Sequence, residues 1–142
     1  MRIRFLMLGK TRRPEIGALL RDYVTRIGRT NAVEVTEVRD GAAAIKKLAA
    51  SKSATVVLLD PGGKVMDSET FAHWIREQRD RGTREMVFVC GDADGFPELV
   101  REQVKTKLSL SSMTYSHELA RLMLSEQIYR AFAILSGSSY PK

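Results

Sequence analysis

Two loops of small residues are the part of this chain best suited to chemistry. Val87-Phe-Val-Cys-Gly-Asp-Ala-Asp-Gly95 reads as a buried strand that stops at a glycine-rich bend. Leu108-Ser-Leu-Ser-Ser-Met-Thr-Tyr115 is a second small-residue loop, and it leads directly into Ser116-His-Glu-Leu-Ala-Arg121, the start of a long amphipathic pattern. Gly, Ser and Thr let the main chain approach a ligand closely and offer it backbone N–H and C=O groups. Loops of this kind hold a nucleotide-like cofactor without a dedicated charged pocket.

The elements that must position these loops follow from periodicity. Residues 2–8 alternate and then turn fully apolar, a strand entering a core, with Gly9-Lys-Thr-Arg-Arg-Pro14 as the turn and Pro14 at the start of a helix. Ile16, Leu19, Leu20, Tyr23, Val24 and Ile27 recur at helical spacing, and Gly28 closes that helix. Val33, Val35 and Val38 suggest a strand, and Asp40 can cap a short helix through about Ala50. A hydrophobic strand at Thr55–Leu59 is ended by Asp60-Pro-Gly-Gly63, and a helix carrying Phe71, Trp74, Ile75 and Gln78 is stopped by Gly82. Strand 86–90, a helix from Pro97 to about Lys107, a short strand at 108–110 and a helix at 117–135 complete the pattern. Strands alternating with helices predict one α/β domain over residues 1–142, a mostly parallel sheet with helices on both faces. Ligands in such sheets sit at the carboxyl ends of the strands, here Gly9-Lys10, Asp60–Gly63, Gly91–Gly95 and Ser111-Ser112.

Composition narrows the class. No apolar stretch approaches a membrane span, and Arg2 and Arg4 inside the first strand argue against a signal peptide. The single Cys90 reads as a buried structural thiol in a reducing compartment, so a soluble cytoplasmic protein is expected. Residues 1–30 carry eight Lys/Arg against two Asp/Glu, residues 31–100 nine against twelve, and residues 101–142 six against three. Basic ends around an acidic middle fit a polyanion-facing surface, although a solvated basic face with no partner would look the same.

Three motifs fail on spacing. Gly9-Lys10-Thr11 would end a phosphate-binding P-loop only if position 4 were glycine, and it is Arg4. Asp92-Ala-Asp-Gly95 lacks the third acidic position and the distal Glu of a calcium loop, and His73 and His117 have no Cys or carboxylate partners at zinc spacing, so no metal is expected. Val56-Val-Leu-Leu-Asp60 resembles the phospho-acceptor strand of a receiver, yet the acidic pair such a module needs is replaced by Gly9-Lys10-Thr11. A receiver-like signalling module is therefore a remote alternative, with Asp60 read as a loop cap.

The order and spacing of these segments resemble the SPOUT methyltransferases, most closely the small bacterial branch that methylates N3 of a pseudouridine in large-subunit ribosomal RNA. The resemblance spans essentially the whole chain and is densest from Thr55 onward; His117, Arg121, Glu126-Gln127 and Tyr129-Arg130-Ala131 match on the last helix. It implies S-adenosylmethionine as cofactor, lying against Leu59, Gly91 and the loop Leu110, Ser111, Ser112, Met113, Thr114 and Tyr115. It also implies a C-terminal trefoil knot and a homodimer whose active site joins one protomer's cofactor pocket to its partner's tail. The expected substrate is rRNA inside the assembled ribosome, with no DNA and no membrane as partner.

Three positions depart from the family pattern. Gly91-Asp92 stands where Gly-Gly is usual, Ser116 stands where Pro is usual but can cap the helix, and Pro141 replaces the histidine of the tail in Ser138-Ser-Tyr-Pro-Lys142. The remaining candidates for the catalytic end are Tyr140 and His117 as proton acceptors and Lys142 as a cation that stabilises a developing anion. Arg121 and Arg130 could pair within a dimer or face phosphates. Without the histidine, a cofactor- or RNA-binding relative with little catalysis is the alternative. Leu119, Leu122, Met123, Ile128, Tyr129 and Phe132 cover more of the last helix than one core face requires, which predicts the dimer independently.

Overall fold

The computed structural model describes residues 1–141; Lys142, the expected cation of the tail, lies outside the described residues. The chain alternates throughout: β1 (Arg2–Leu8), α1 (Pro14–Gly28), β2 (Val33–Val38), α2 (Gly41–Ala49), β3 (Thr55–Val65), α3 (Ser68–Asp80), β4 (Glu85–Cys90), α4 (Glu98–Gln103), β5 (Thr106–Ser109) and α5 (His117–Leu135). The five strands form one sheet in the order β2-β1-β4-β3-β5, and every pairing is parallel.

Alternation along the strands sorts the core into two layers. Ile3, Phe5 and Met7 of β1 and Met86, Phe88 and Cys90 of β4 face α1, α3 and α5. Leu6, Leu8, Val87 and Val89 face α2 and α4 on the other side. Strands buried on both faces read as continuous apolar runs, which is why β1 and β4 lose their alternation in the sequence. Helix starts are set locally: Asp40 accepts a hydrogen bond from the Ala43 N–H, and Asp67 from the Thr70 N–H.

Three expected boundaries move. β3 does not end at Leu59 but resumes at Lys64 and Val65, with Leu59 and Lys64 both opposite Leu108 of β5. Asp60-Pro-Gly-Gly63 is therefore an excursion within an edge ladder, and it needs glycine because a Cβ on Gly63 would lie 2.6 Å from the carbonyl carbon of Lys107 and 2.7 Å from the Leu108 nitrogen. The helix expected to reach Lys107 stops at Gln103, where Val104 is extended, and Thr106 and Lys107 join β5 by pairing with Val57 and Leu58. Ser116 occupies the cap position of α5 without a side-chain cap hydrogen bond.

The path of the last helix decides the site. β5 is the outermost strand, yet α5 packs between α1 and α3 and buries Leu124, Ile128 and Ala131 over the middle of the sheet. Residues 110–116 must therefore cross back past the β3–α3 connection, which brings them over the carboxyl ends of β3 and β4. Ile128 is fully buried in the protomer's own core, so it is withdrawn from the expected dimer face; the flanking helices take apolar residues from two sides of α5.

Candidate functional site

A cavity of about 380 Å³ opens at the carboxyl ends of β3, β4 and β5. Its walls are Leu59–Pro61 at the excursion within β3, Cys90–Ala93 with Gly95 and Phe96 at the end of β4 and beyond, Ser109–Ser111 at the end of β5, and Met113–His117 leading into α5. Leu59, Gly91, Leu110, Ser111, Met113, Thr114 and Tyr115 all lie in this wall; Ser112 does not, and it is exposed. Loops far apart in sequence, at residues 59–61, 90–96 and 109–117, meet here because parallel strands deliver all their carboxyl ends to one edge of the sheet.

Each loop is tied down by its own polar groups. Ser109 Oγ donates to the Ser111 carbonyl at 2.8 Å, and Ser111 Oγ accepts from the Met113 N–H at 3.0 Å, which curls the chain around the cavity. Asp92 Oδ1 accepts from the Asp94 N–H at 2.9 Å, and the main chains of Asp92 and Gly95 bond each other, closing a tight turn. A Cβ on Gly91 would lie 2.8 Å from the Gly95 carbonyl oxygen, so the turn closes only over glycine. One oxygen of Asp92 thus serves the turn and not a ligand. Asp60, nearly buried in the wall, accepts from the Gly62 N–H at 3.0 Å, the loop cap expected of it, and lies 3.6 Å from an Arg101 guanidinium nitrogen.

Beneath the cavity sits a residue whose role the sequence did not reveal. Arg121 is fully buried. Its Nη2 donates to the carbonyls of Leu8 at 2.5 Å and Gly91 at 3.2 Å, and its Nη1 donates to the Gly9 carbonyl at 3.0 Å and Thr11 Oγ1 at 3.1 Å. Among the described residues it pairs with no carboxylate, and it faces no solvent, which corrects both readings offered for it. Five N–H donors in a planar fork suit a cluster of carbonyls as no other side chain does. Glu118, one turn earlier and also buried, accepts from the Arg13 N–H at 2.9 Å and the Arg12 N–H at 3.0 Å. The Arg13 N–H holds its carboxyl below the usual carboxylate range; burial opposes this, and the Arg12 N–H, His117 and Arg121 add to it. A signal for both was present, since positions 118 and 121 continue the buried stripe of 124, 125, 128 and 131. Charged residues on an apolar stripe are bonded when buried.

The proposed catalytic residues are divided. His117 lies in the cavity wall, its Nε2 3.9 Å from Glu118. Tyr140 lies elsewhere, on the outer face of α1 and α5. Its hydroxyl donates to Glu126 Oε2 at 2.6 Å and lies 3.3 Å from the Tyr23 hydroxyl, and its ring packs edge-on against Tyr129 with centroids 4.7 Å apart. Burial first, then the bonds to Glu126 and Tyr23, push its phenol well above the ordinary value, so within its own chain it is no proton acceptor. Arg130 is paired with Glu126 at 2.6 Å and stacks over the Tyr140 ring. Cys90, also in the wall, has its thiol pushed up to about 12 by burial, with the Arg121 charge pulling the other way. No acidic pair follows β1, as a receiver would need.

A cavity of this volume, walled by apolar side chains and small loop residues with a few polar groups such as Asp60, Arg101 and His117, fits a nucleoside-bearing cofactor the size of S-adenosylmethionine. A parallel sheet whose last helix returns over its middle, with the cavity formed by the crossing loop, is the architecture of the SPOUT methyltransferases. Solved structures share the fold: the tRNA (m1G37) methyltransferase from Aquifex aeolicus matches 92% of this chain and 70% of its own at a TM-score of 0.60 and 16% identity. The SpoU methyltransferase AviRb from Streptomyces viridochromogenes, solved in complex with AdoMet, matches 97% and 61% at a TM-score of 0.56 and 12% identity. The family described as predicted SPOUT methyltransferase matches residues 1–141. Sequence relatives are nearer: the ribosomal RNA large subunit methyltransferase H of Pelobacter propionicus is 40% identical over 151 residues, covering 99% of each chain, and that of Solibacter usitatus is 39% identical over 140 residues, again 99% of each. The chain belongs to the SPOUT methyltransferase family, in the branch of these ribosomal RNA large subunit methyltransferases H. It is an S-adenosylmethionine-dependent methyltransferase.

Proposed function

We propose that this enzyme methylates N3 of a pseudouridine in large-subunit ribosomal RNA within the assembled ribosome, as a cytoplasmic homodimer. The observation that carries the reading is identity near 40% over 99% of both chains to relatives named as ribosomal RNA large subunit methyltransferase H, in a chain whose strand-end loops form a cavity of cofactor size. When bound, the cofactor supplies a methyl group on a sulfonium, already activated for displacement.

The protein then has to align the two reactants and help remove one weakly acidic proton. The Gly91–Gly95 turn and the Leu110–Tyr115 loop, Ser112 at its outer side, hold the cofactor through backbone groups, with Leu59 packing against it. His117, whose imidazole lies in the cavity wall, is the residue this reading assigns as proton acceptor. Tyr140 and Lys142 contribute from the partner protomer. Leu19, Leu119 and Met123 are 50%, 45% and 39% exposed on α1 and α5, the apolar surface a second copy would cover. The crossing of residues 110–116 past the β3–α3 connection supports the trefoil knot.

A second reading rests on the tail. Pro141 offers no acceptor where the family has histidine, and Tyr140 is engaged with Glu126, so the chain would bind cofactor and RNA while turning over slowly. Incubation with labelled S-adenosylmethionine and intact ribosomes, with the product nucleoside identified, separates the two. Formation of N3-methylpseudouridine on ribosomes, and little on naked RNA fragments, is the expected result. Cofactor binding without ribosome methylation would establish the second reading instead.

A further inference from the structure

We propose that the β1–α1 loop, Gly9–Arg13, is a preset phosphate-gripping rim: Lys10, Arg12 and Arg13 hold the RNA backbone beside the cofactor cavity, and buried Glu118 and Arg121 keep the loop in place. This rests on the RNA-substrate reading above and says which surface meets the RNA.

The loop lies between β1 and α1, touching the β1–β2 ladder at Gly9 and the first turn of α1 at Arg13, and it is fastened at nearly every residue between. The Gly9 N–H donates to the Val38 carbonyl at 2.7 Å, and the Gly9 carbonyl accepts from Arg121. The Thr11 N–H donates to Glu37 at 3.0 Å, and the Thr11 hydroxyl accepts from Arg121. Glu118 takes both the Arg12 and Arg13 N–H groups. Burying a carboxylate and a guanidinium costs free energy unless both are fully bonded, and an ordinary turn closes without either. What these two charges accomplish is to present three cationic side chains in one fixed direction.

Those side chains are the unspent part of the loop. Lys10, Arg12 and Arg13 are all exposed, and among the described residues none forms an ion pair or a side-chain hydrogen bond. Most other basic groups of the N-terminal region are committed: Arg2 and Arg4 to Glu34 and Glu85, Arg26 to Asp22. The rim also adjoins the cavity on two sides. A Cβ on Gly9 would lie 3.9 Å from that of Asp92, and Glu118 follows His117, both Asp92 and His117 being wall residues. Cations whose backbone is already fixed lose less freedom when they meet a phosphate, so the contact orients the substrate as well as attracting it.

The test uses the full chain with Lys10, Arg12 and Arg13 all changed to Ala, substitutions that remove no side-chain hydrogen bond or ion pair among the described residues. Ribosome binding by co-sedimentation, methyl transfer to ribosomes across a salt series, and affinity for S-adenosylhomocysteine by calorimetry are read together. Each phosphate contact to single-stranded RNA contributes about 0.7 to the salt exponent, or about 5-fold at ~0.1 M salt, so the triple variant should bind ribosomes about 100-fold more weakly with an exponent smaller by about 2. Affinity for S-adenosylhomocysteine should stay within about 2-fold of the original, since the rim contributes nothing to the cavity wall. Glu118→Gln keeps the cations but loosens their backbone, and should weaken ribosome binding about 10-fold with the salt exponent unchanged. Ribosome binding and salt dependence unaltered in the triple variant would overturn the proposal, as would a matching loss of affinity for S-adenosylhomocysteine. An original protein that binds ribosomes through this rim but forms no methylated nucleoside would uphold it while defeating the catalytic reading.

Discussion

Arg121→Met should loosen the whole active end of the sheet, and its cost can be worked from the contacts. Methionine nearly matches the length of the side chain but has no donor, so the carbonyls of Leu8, Gly9 and Gly91 and the Thr11 hydroxyl lose their shared partner. The Leu8 carbonyl is bonded in a fully buried setting, and leaving such an acceptor unpaired costs about 1–3 kcal/mol. The bonds to Gly9 and Gly91 are part-buried, where water can partly substitute, at about 0.5–1.5 kcal/mol each. Relief from burying an uncompensated guanidinium returns some of this. The net loss should be about 3 kcal/mol, a large share of the ~5–15 kcal/mol that stabilises a domain. Urea unfolding at neutral pH should show a midpoint lower by about 1–3 M, given a slope of about 1–3 kcal/mol per M. Affinity for S-adenosylhomocysteine should fall about tenfold or more, because the Gly91 carbonyl anchors the turn against which the cofactor lies. Arg121→Lys should recover little, since one ammonium cannot span acceptors at the end of β1 and in the loops after β1 and β4. A loss below about 1 kcal/mol, with ligand affinity unchanged, would refute the assignment of Arg121 as the tie between these loops.

Further outcomes follow from the same geometry. Gly91→Ala places a Cβ 2.8 Å from the Gly95 carbonyl oxygen, so the turn must open; calorimetry should show a loss of cofactor affinity in a protein that still melts cooperatively, and normal affinity would show that the turn yields without consequence. Cys90, with its thiol raised to about 12, should resist iodoacetamide at pH 8 until the protein unfolds. Because the raised value belongs to the folded state, its contribution to stability is present below the ordinary thiol value and is lost as pH climbs from about 9 towards 12. Rapid labelling of the native protein would contradict this burial. Deleting residues 138–142 should leave cofactor affinity nearly intact and abolish methyl transfer; transfer at an undiminished rate would remove Tyr140 and Lys142 from the catalytic machinery and leave His117 as the group to test.

Much of the architecture was legible because it rests on local rules. Apolar runs ending in glycine, Asp40 before a helical pattern, and Pro14 at a helix start report on backbone preferences within a few residues of themselves. The two small-residue loops announced a ligand for the same reason, since close backbone approach is a property of residue type. Leu59, Gly91, Leu110, Ser111, Met113, Thr114 and Tyr115 of the cavity wall could be named from these loops together with the family pattern, whereas Phe96, Arg101 and Ala120 were not, and Ser112 failed to join because side-chain direction within an irregular loop is not periodic. Other features belong to tertiary structure alone. β3 continues past Pro61 and two glycines only because Leu108 offers a partner to both Leu59 and Lys64. Thr106 is a strand residue because Val57 lies opposite it, and Ile128 is core because α5 returns between two other helices. The apolar stripe hinted that positions 118 and 121 are buried, but Arg121 was read as pairing within a dimer or facing phosphates, since no local pattern shows that carbonyls of Leu8, Gly9 and Gly91 converge on one point, 113 residues apart in the case of Leu8. Burial of a charge is decided by what surrounds it, and here the surroundings are brought together by the crossing that carries the last helix back over the sheet.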